Sequence, residues 1–156
     1  MGIKIGILNP NGLELCAQRA LESLVNAFGQ QNIEVHLCLY TDQIPKADLL
    51  IGTYEKSPLL RELVDQGQVP LTPAPEALMI QELSIGDQSA LWACAYDTNG
   101  LLYVLYEMAE RIKAQSVPAL YKPVREEPAF QLRGVLHFLH PEELKKGWTI
   151  RRDYWQ

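Results

Sequence analysis

Residues 91–96, Leu-Trp-Ala-Cys-Ala-Tyr, form an unbroken apolar run of strand length that alternation cannot divide into an inner and an outer face. A run of this kind belongs in the middle of a sheet, and the chain must supply partners on both its edges. The nearest partner precedes it: residues 77–83 read as a second strand, and Ile85-Gly86-Asp87-Gln88 between them reads as a hairpin turn. Further partners lie upstream. Residues 3–8 make an apolar strand closed by Asn9-Pro10-Asn11-Gly12, residues 33–40 alternate as a half-buried strand, and residues 48–52 make a short buried one.

Helices alternate with these strands. Apolar positions 13, 16, 17, 20, 21, 24, 25 and 28 trace one helical stripe, which Gly29 is placed to end. Ser57-Pro58 supplies a cap and a first-turn proline for a short helix through Leu63 and Val64 to Gly67. Pro70, Pro73 and Pro75 then impose an irregular connection. Asp97-Thr98-Asn99-Gly100 offers several caps for the strongest helix, whose apolar positions are Leu101, Leu102, Leu105, Met108, Ala109 and Ile112, and Val117-Pro118 ends it. The order predicts an α+β fold: a mixed sheet with two main helices packed on one face and a third, shorter helix at one end.

Composition excludes several functions. Hydrophobic residues make up 47% and charged residues 21%, a globular balance. A net charge of −5 argues against nucleic acid as a partner, and the late basic residues Lys145, Lys146, Arg151 and Arg152 are interleaved with acids. No apolar run approaches the ~18–20 residues that cross a bilayer, so no membrane partner is expected. The first residues read directly as a strand and lack the layout of a signal peptide. Cys16, Cys38 and Cys94 are odd in number, far apart and set in apolar runs, which reads as buried small hydrophobes and favours a cytoplasmic, reducing compartment, with a secreted or periplasmic one the alternative if an export signal has been removed.

Known catalytic patterns are largely missing. No Gly-x-Gly-x-x-Gly or Walker A loop follows a strand, so no nucleotide cofactor is expected. His36 and Cys38 share a strand face, and His137 and His140 flank Phe138-Leu139, but neither pair has the further ligands a zinc site needs. Three carboxylate pairs, Glu107/Glu110, Glu126/Glu127 and Glu142/Glu143, lack the facing geometry that glycoside hydrolysis requires.

One stretch carries more information. Tyr96-Asp97-Thr98-Asn99-Gly100-Leu101-Leu102-Tyr103, followed about 25 residues later by Glu127-Pro-Ala-Phe-Gln-Leu-Arg-Gly-Val135, resembles the N-terminal non-catalytic domain of certain glycoside hydrolases. The similar domains precede the barrel in family 20 β-hexosaminidases and family 67 α-glucuronidases. There an "Asp-x-x-Gly-Leu-x-Tyr-Gly" helix start is followed by "Pro-x-Phe-x-x-Arg-Gly", which opens the first strand of a (β/α)8 barrel. This chain departs at Val104, where a glycine is common, and at Leu136-His137-Phe138, which lacks the acid that hexosaminidases place after the Arg-Gly strand. The second departure sets it nearer the α-glucuronidases. The resemblance implies an accessory domain over residues 1–125 and, over 126–156, a linker and the beginning of a catalytic barrel. It also implies that this portion is not itself catalytic, that its partner is the barrel of the same polypeptide, and that carbohydrate is the ligand class. Arg133 is the one residue carried over, as a sugar-hydroxyl contact; alternatively it pairs with Glu126 or Glu127 at the junction. A free-standing binding or interaction module is the competing expectation.

Overall fold

The computed structural model describes residues 2–39 and 43–128. Among these residues six strands form one mixed sheet: β1 (Gly2–Ile7), β2 (Glu34–Leu39), β3 (Leu49–Thr53), β4 (Leu78–Ile85), β5 (Gln88–Ala95) and β6 (Val124–Glu126). Their spatial order is β2-β1-β3-β5-β4-β6. β2, β1, β3 and β5 run parallel, β4 is antiparallel to β5, and β6 is antiparallel to β4. The α+β class with a mixed sheet is therefore as the sequence predicts. The β4–β5 hairpin closes on Gly86 (φ 61°), whose left-handed backbone a side chain would disfavour.

Three helices connect the strands: α1 (Leu15–Gln30), α2 (Pro58–Asp65) and α3 (Thr98–Gln115). The pleat sends alternate strand residues to opposite faces. On one face Ile5, Ile7, Leu49, Ile51, Ile80 and Ala93 meet α1 and α3 through Leu24, Phe28, Leu105 and Met108, all buried. On the other, Leu50, Met79, Trp92 and Cys94 are covered by Leu60 and Leu63 of α2 and by Val69 and Leu71 of the proline-rich connection. The short helix thus covers the second face of the sheet and does not cap one end, the position expected from sequence. Its amphipathic stripe predicts a buried side but cannot say which face of the sheet receives it.

β5 is central and buried from Ala90 to Ala95. Ser57 caps α2 by accepting a hydrogen bond from the Leu60 N–H at 3.1 Å, with Pro58 in the first turn. α1 runs one residue past Gly29, and Gln31 caps it. β6 pairs with residues 78–80 of β4, so Glu126, which the resemblance places in a linker, belongs to this sheet.

Two helices packed about 10 Å apart shield roughly 20 Å of a six-stranded sheet about 24 Å wide. At one flank Leu37 and Leu39 of β2 are 52% and 70% exposed, although their alternation predicts a half-buried strand. Edge position, which alternation does not report, is the reason.

Candidate functional site

The Asp97–Gly100 motif, which carries the resemblance, is a clamp between a helix and a strand. Asp97 follows β5 in extended backbone, and its Oδ1 accepts the Gly100 N–H at 2.9 Å, capping α3. Its Oδ2 accepts the Glu76 N–H, also at 2.9 Å. Glu76 stands just before β4 with φ 59°, a left-handed conformation that costs a non-glycine residue on the order of 1 kcal/mol. One carboxylate therefore starts α3 and holds the strained lead into β4. Gly100 is needed for a separate reason. A Cβ there would lie 3.0 Å from both the Ala77 carbonyl oxygen and the Ala95 Cβ, and 3.1 Å from the Glu76 carbonyl oxygen. The first turn of the helix rests directly on strand backbone.

Ligands of open α/β sheets bind in the crevice beyond the carboxyl ends of parallel strands. Here that edge is formed by the loops after β1, β3 and β5. The cleft between the starts of α1 and α3 measures ≈ 230 Å³ and includes Asn9, Asn11, Lys56 and Thr98. Small-molecule pockets usually enclose about 300–1,000 Å³. Several of the cleft's polar side chains are also committed to one another, Asn9 and Thr53 buried and Lys56 and Glu14 exposed. Asn9 Oδ1 accepts the Thr53 N–H at 2.9 Å, its Nδ2 donates to Thr53 Oγ1 at 3.3 Å, and Lys56 pairs with Glu14 at 3.6 Å. The Asn9–Thr53 bonds stitch the end of β1 to β3.

The stitch depends on Gly52. A Cβ at this position would come within 2.8 Å of the Leu8 Cβ and 3.2 Å of Asn9 Oδ1. Gly52→Ala should cost about 1–3 kcal/mol, the usual range for forcing an extra carbon into a packed interior. Urea unfolding followed by circular dichroism measures it, and a loss under 0.5 kcal/mol would mean that β1 and β3 are less tightly apposed than described.

On the second face Tyr54 and Tyr96 stack with ring centroids 5.4 Å apart, and the Arg61 guanidinium lies 5.5 Å from the Tyr54 ring centre. The Tyr54 hydroxyl donates to Asp65 Oδ1 at 2.9 Å. That bond, helped by partial desolvation and by the charge on Asp65, raises the Tyr54 pKa. The cluster anchors α2 to the strand ends.

The cysteines differ from the sequence reading. All are free, but only Cys94 is buried; Cys16 is exposed and Cys38 is intermediate. Cys16 falls at the margin of an apolar stripe wider than its contact, in which Ala17, Ala20, Leu21, Leu24, Ala27 and Phe28 are buried. Burial pushes the Cys94 thiol far above its ordinary pKa, only partly offset by a backbone hydrogen bond from Gly52. An unfolded chain would ionise this thiol above pH ~8.5, whereas the folded chain keeps it protonated, so stability should fall as pH rises. Above that point the native chain should lose up to about 1.4 kcal/mol per pH unit relative to Cys94→Ala. Urea midpoints of the two proteins at pH 7.5, 9 and 10 test this; parallel pH profiles would refute it.

The other sequence-predicted candidates do not assemble into a reactive centre. His36 lies 3.7 Å from Glu34 on the exposed edge strand, and no group of three metal-ligating side chains occurs among the described residues. Glu107 pairs with Arg111 at 2.8 Å, and Glu110 with Lys113 at 2.9 Å. Glu126 lies in β6 and Glu127 directly after it. Arg133, His137, His140 and the Glu142/Glu143 pair lie outside the described residues. The sequence reading missed a groove of ≈ 670 Å³ beside α3 at the β6 edge, whose lining includes Leu78, Tyr103, Tyr106, Val124, Glu126 and Pro128. Tyr103 and Tyr106 stand three apart on α3, a spacing that could have marked one face.

Against known proteins, no protein-family model matches the chain and no curated protein is significantly similar to it.

Proposed function

We propose that this chain is the non-catalytic N-terminal accessory domain of a carbohydrate-active enzyme of the α-glucuronidase or hexosaminidase kind. Its role is to pack against and stabilise a (β/α)8 catalytic barrel of the same polypeptide, to which carbohydrate would bind. The observation that supports this reading is where the sheet closes relative to the two resemblance motifs. The first motif, Asp97 to Gly100, serves the sheet's own architecture, joining β4, β5 and α3. The last of the described strands, β6, ends at Glu126, two residues before Pro128, which opens the second motif. A strand of this sheet that ends just ahead of the second motif accords with the layout the resemblance implies. In this reading Arg133 would serve the barrel, as a sugar contact or a junction ion pair.

Reading the coding sequence beyond codon 156 tests the proposal. A barrel of about 250 residues with acidic residues at the carboxyl ends of its strands should follow. A stop codon, or a continuation without alternating strands and helices, overturns the reading. The 156-residue chain incubated with aryl glycosides should release no aglycone, and sustained turnover would equally overturn it.

A further inference from the structure

We infer that β2 docks a second copy of this chain, two β2 strands pairing antiparallel about a two-fold axis at Leu37. Among the described strands β2 and β6 are outermost, and they differ in how they guard their outer edges. An open edge presents unpaired backbone N–H and C=O groups, and proteins ordinarily protect it by brevity, lysine, proline or a bulge. β6 is three residues long, and two of them, Arg125 and Glu126, are charged. β2 has six residues with no lysine and no proline, and its register with β1 runs unbroken from Glu34 to Leu39. It also carries the exposed Leu37 and Leu39. A long, apolar edge without any of these guards suits a partner strand.

Two observations select a second copy as that partner. The first is the symmetry of the strand itself. Residues directly opposite one another in an antiparallel pair share a face of the sheet. With Leu37 on the axis, Val35 of each copy stands opposite Leu39 of the other, so the apolar faces of the two strands meet along their length. On the reverse face His36 stands opposite Cys38, and Glu34, the only carboxylate of the strand, does not face its own copy. The second observation is the trough of ≈ 690 Å³ beside the strand, lined by Leu21 and Val25 of α1 and by Leu37 and Leu39. Paired strands lie about 4.8 Å apart, so the axis sets the two α1 helices two to three spacings apart, about 10–14 Å. Helices in contact are about 8–10 Å apart, so the two troughs merge into one narrow slot that the leucines of both copies fill. That slot adds apolar burial to the strand pairing and carries the contact toward the ~1,000 Å² of a specific interface. This edge lies across the described sheet from β6 and Pro128, so the inference holds whether or not a barrel follows.

Sedimentation velocity of the full 156-residue chain tests it. Between about 1 and 200 μM, the range in which a modest interface forms, the average mass should rise from 17.7 kDa toward twice that value. Leu37→Lys, which installs the residue natural edges use, should weaken the dimer by about ten-fold or more while the far-UV circular dichroism stays native. If that variant does not fold, Leu37→Cys in a Cys16→Ser, Cys38→Ser background decides. Facing residues of an antiparallel pair lie about 4.5–5.5 Å apart, within disulfide reach, so mild oxidation should link two copies through position 37. Glu34→Cys in the same background should not cross-link. A monomer at every concentration overturns the inference, because the edge is then free or covered by the chain's own residues. A dimer undiminished by Leu37→Lys in an intact fold also overturns it, as does cross-linking that is absent at position 37 or equal at 34 and 37.

Discussion

Trp92→Ala should destabilise the protein by about 3–5 kcal/mol, at the upper end of single-residue effects. Trp92 is 1% exposed on β5, in register with Leu50 of β3 on one side and Gln81 of β4 on the other. It is the largest side chain on the second face of the sheet. The cover on that face is thin: one helix of eight residues and the connection carrying Val69 and Leu71. A helix that short does not persist in water unaided, so α2 is held by what it packs on. Removing the indole takes away the floor beneath it, and a strand paired on both edges, parallel to β3 and antiparallel to β4, can close the gap only in part. Against a typical total stability of about 5–15 kcal/mol the loss is large, and the thermal midpoint should fall by roughly 6–20 °C. Trp92→Phe, which keeps a ring in the site, should lose far less. Far-UV circular dichroism in urea measures both, and is preferable to fluorescence because Trp148 and Trp155 also emit. A loss under 1 kcal/mol for the alanine variant would mean that the second face is not packed around this ring.

Asp97→Ala comes next, at about 2–4 kcal/mol, because one deletion removes a helix cap and a second, long-range hydrogen bond to a charged acceptor. The two contributions can be separated. Serine is also a good cap, so Asp97→Ser should retain the bond to the Gly100 N–H and lose only the bond to Glu76. The step from aspartate to serine then reports the hold on the left-handed Glu76, and the step from serine to alanine reports the cap, about 1 kcal/mol. If serine and alanine prove equally destabilising, the cap is not formed as described. If the alanine variant loses under 0.5 kcal/mol, neither bond carries weight.

The residues that were legible in the sequence are those whose signal is local. Gly86 between two apolar runs can hardly be other than a turn, and Ser57-Pro58 starts a helix by chemistry contained within four residues. What escaped depends on partners far away in sequence. Val124-Arg125-Glu126 has no alternation and little β propensity, and it becomes a strand because the edge of β4 offers it unpaired backbone groups. The exposure of Leu37 and Leu39 follows from their place at a sheet edge, which no pattern inside β2 encodes. Val104, marked in the sequence only as a departure from a motif, is fully buried in the core formed by α1 and α3. The Asp97 motif was visible as a string, but its second hydrogen bond reaches back 21 residues to Glu76. The groove at β6 was not legible, since its floor and wall come from three separate elements.

The brevity of β6 has a mechanical side. Three residue pairs join it to β4, and Arg111 of α3 braces the approach by donating to the Lys122 carbonyl at 2.7 Å, while Arg125 reaches Thr72 at 3.3 Å. Tension applied beyond Pro128 meets this strand before any other described one. Because β6 is the outermost of the described strands on its side, it can peel from β4 pair by pair while β5, locked between two neighbours, keeps its register. The strand would act as a sacrificial link, giving way ahead of the rest of the described sheet when the chain is pulled from that side.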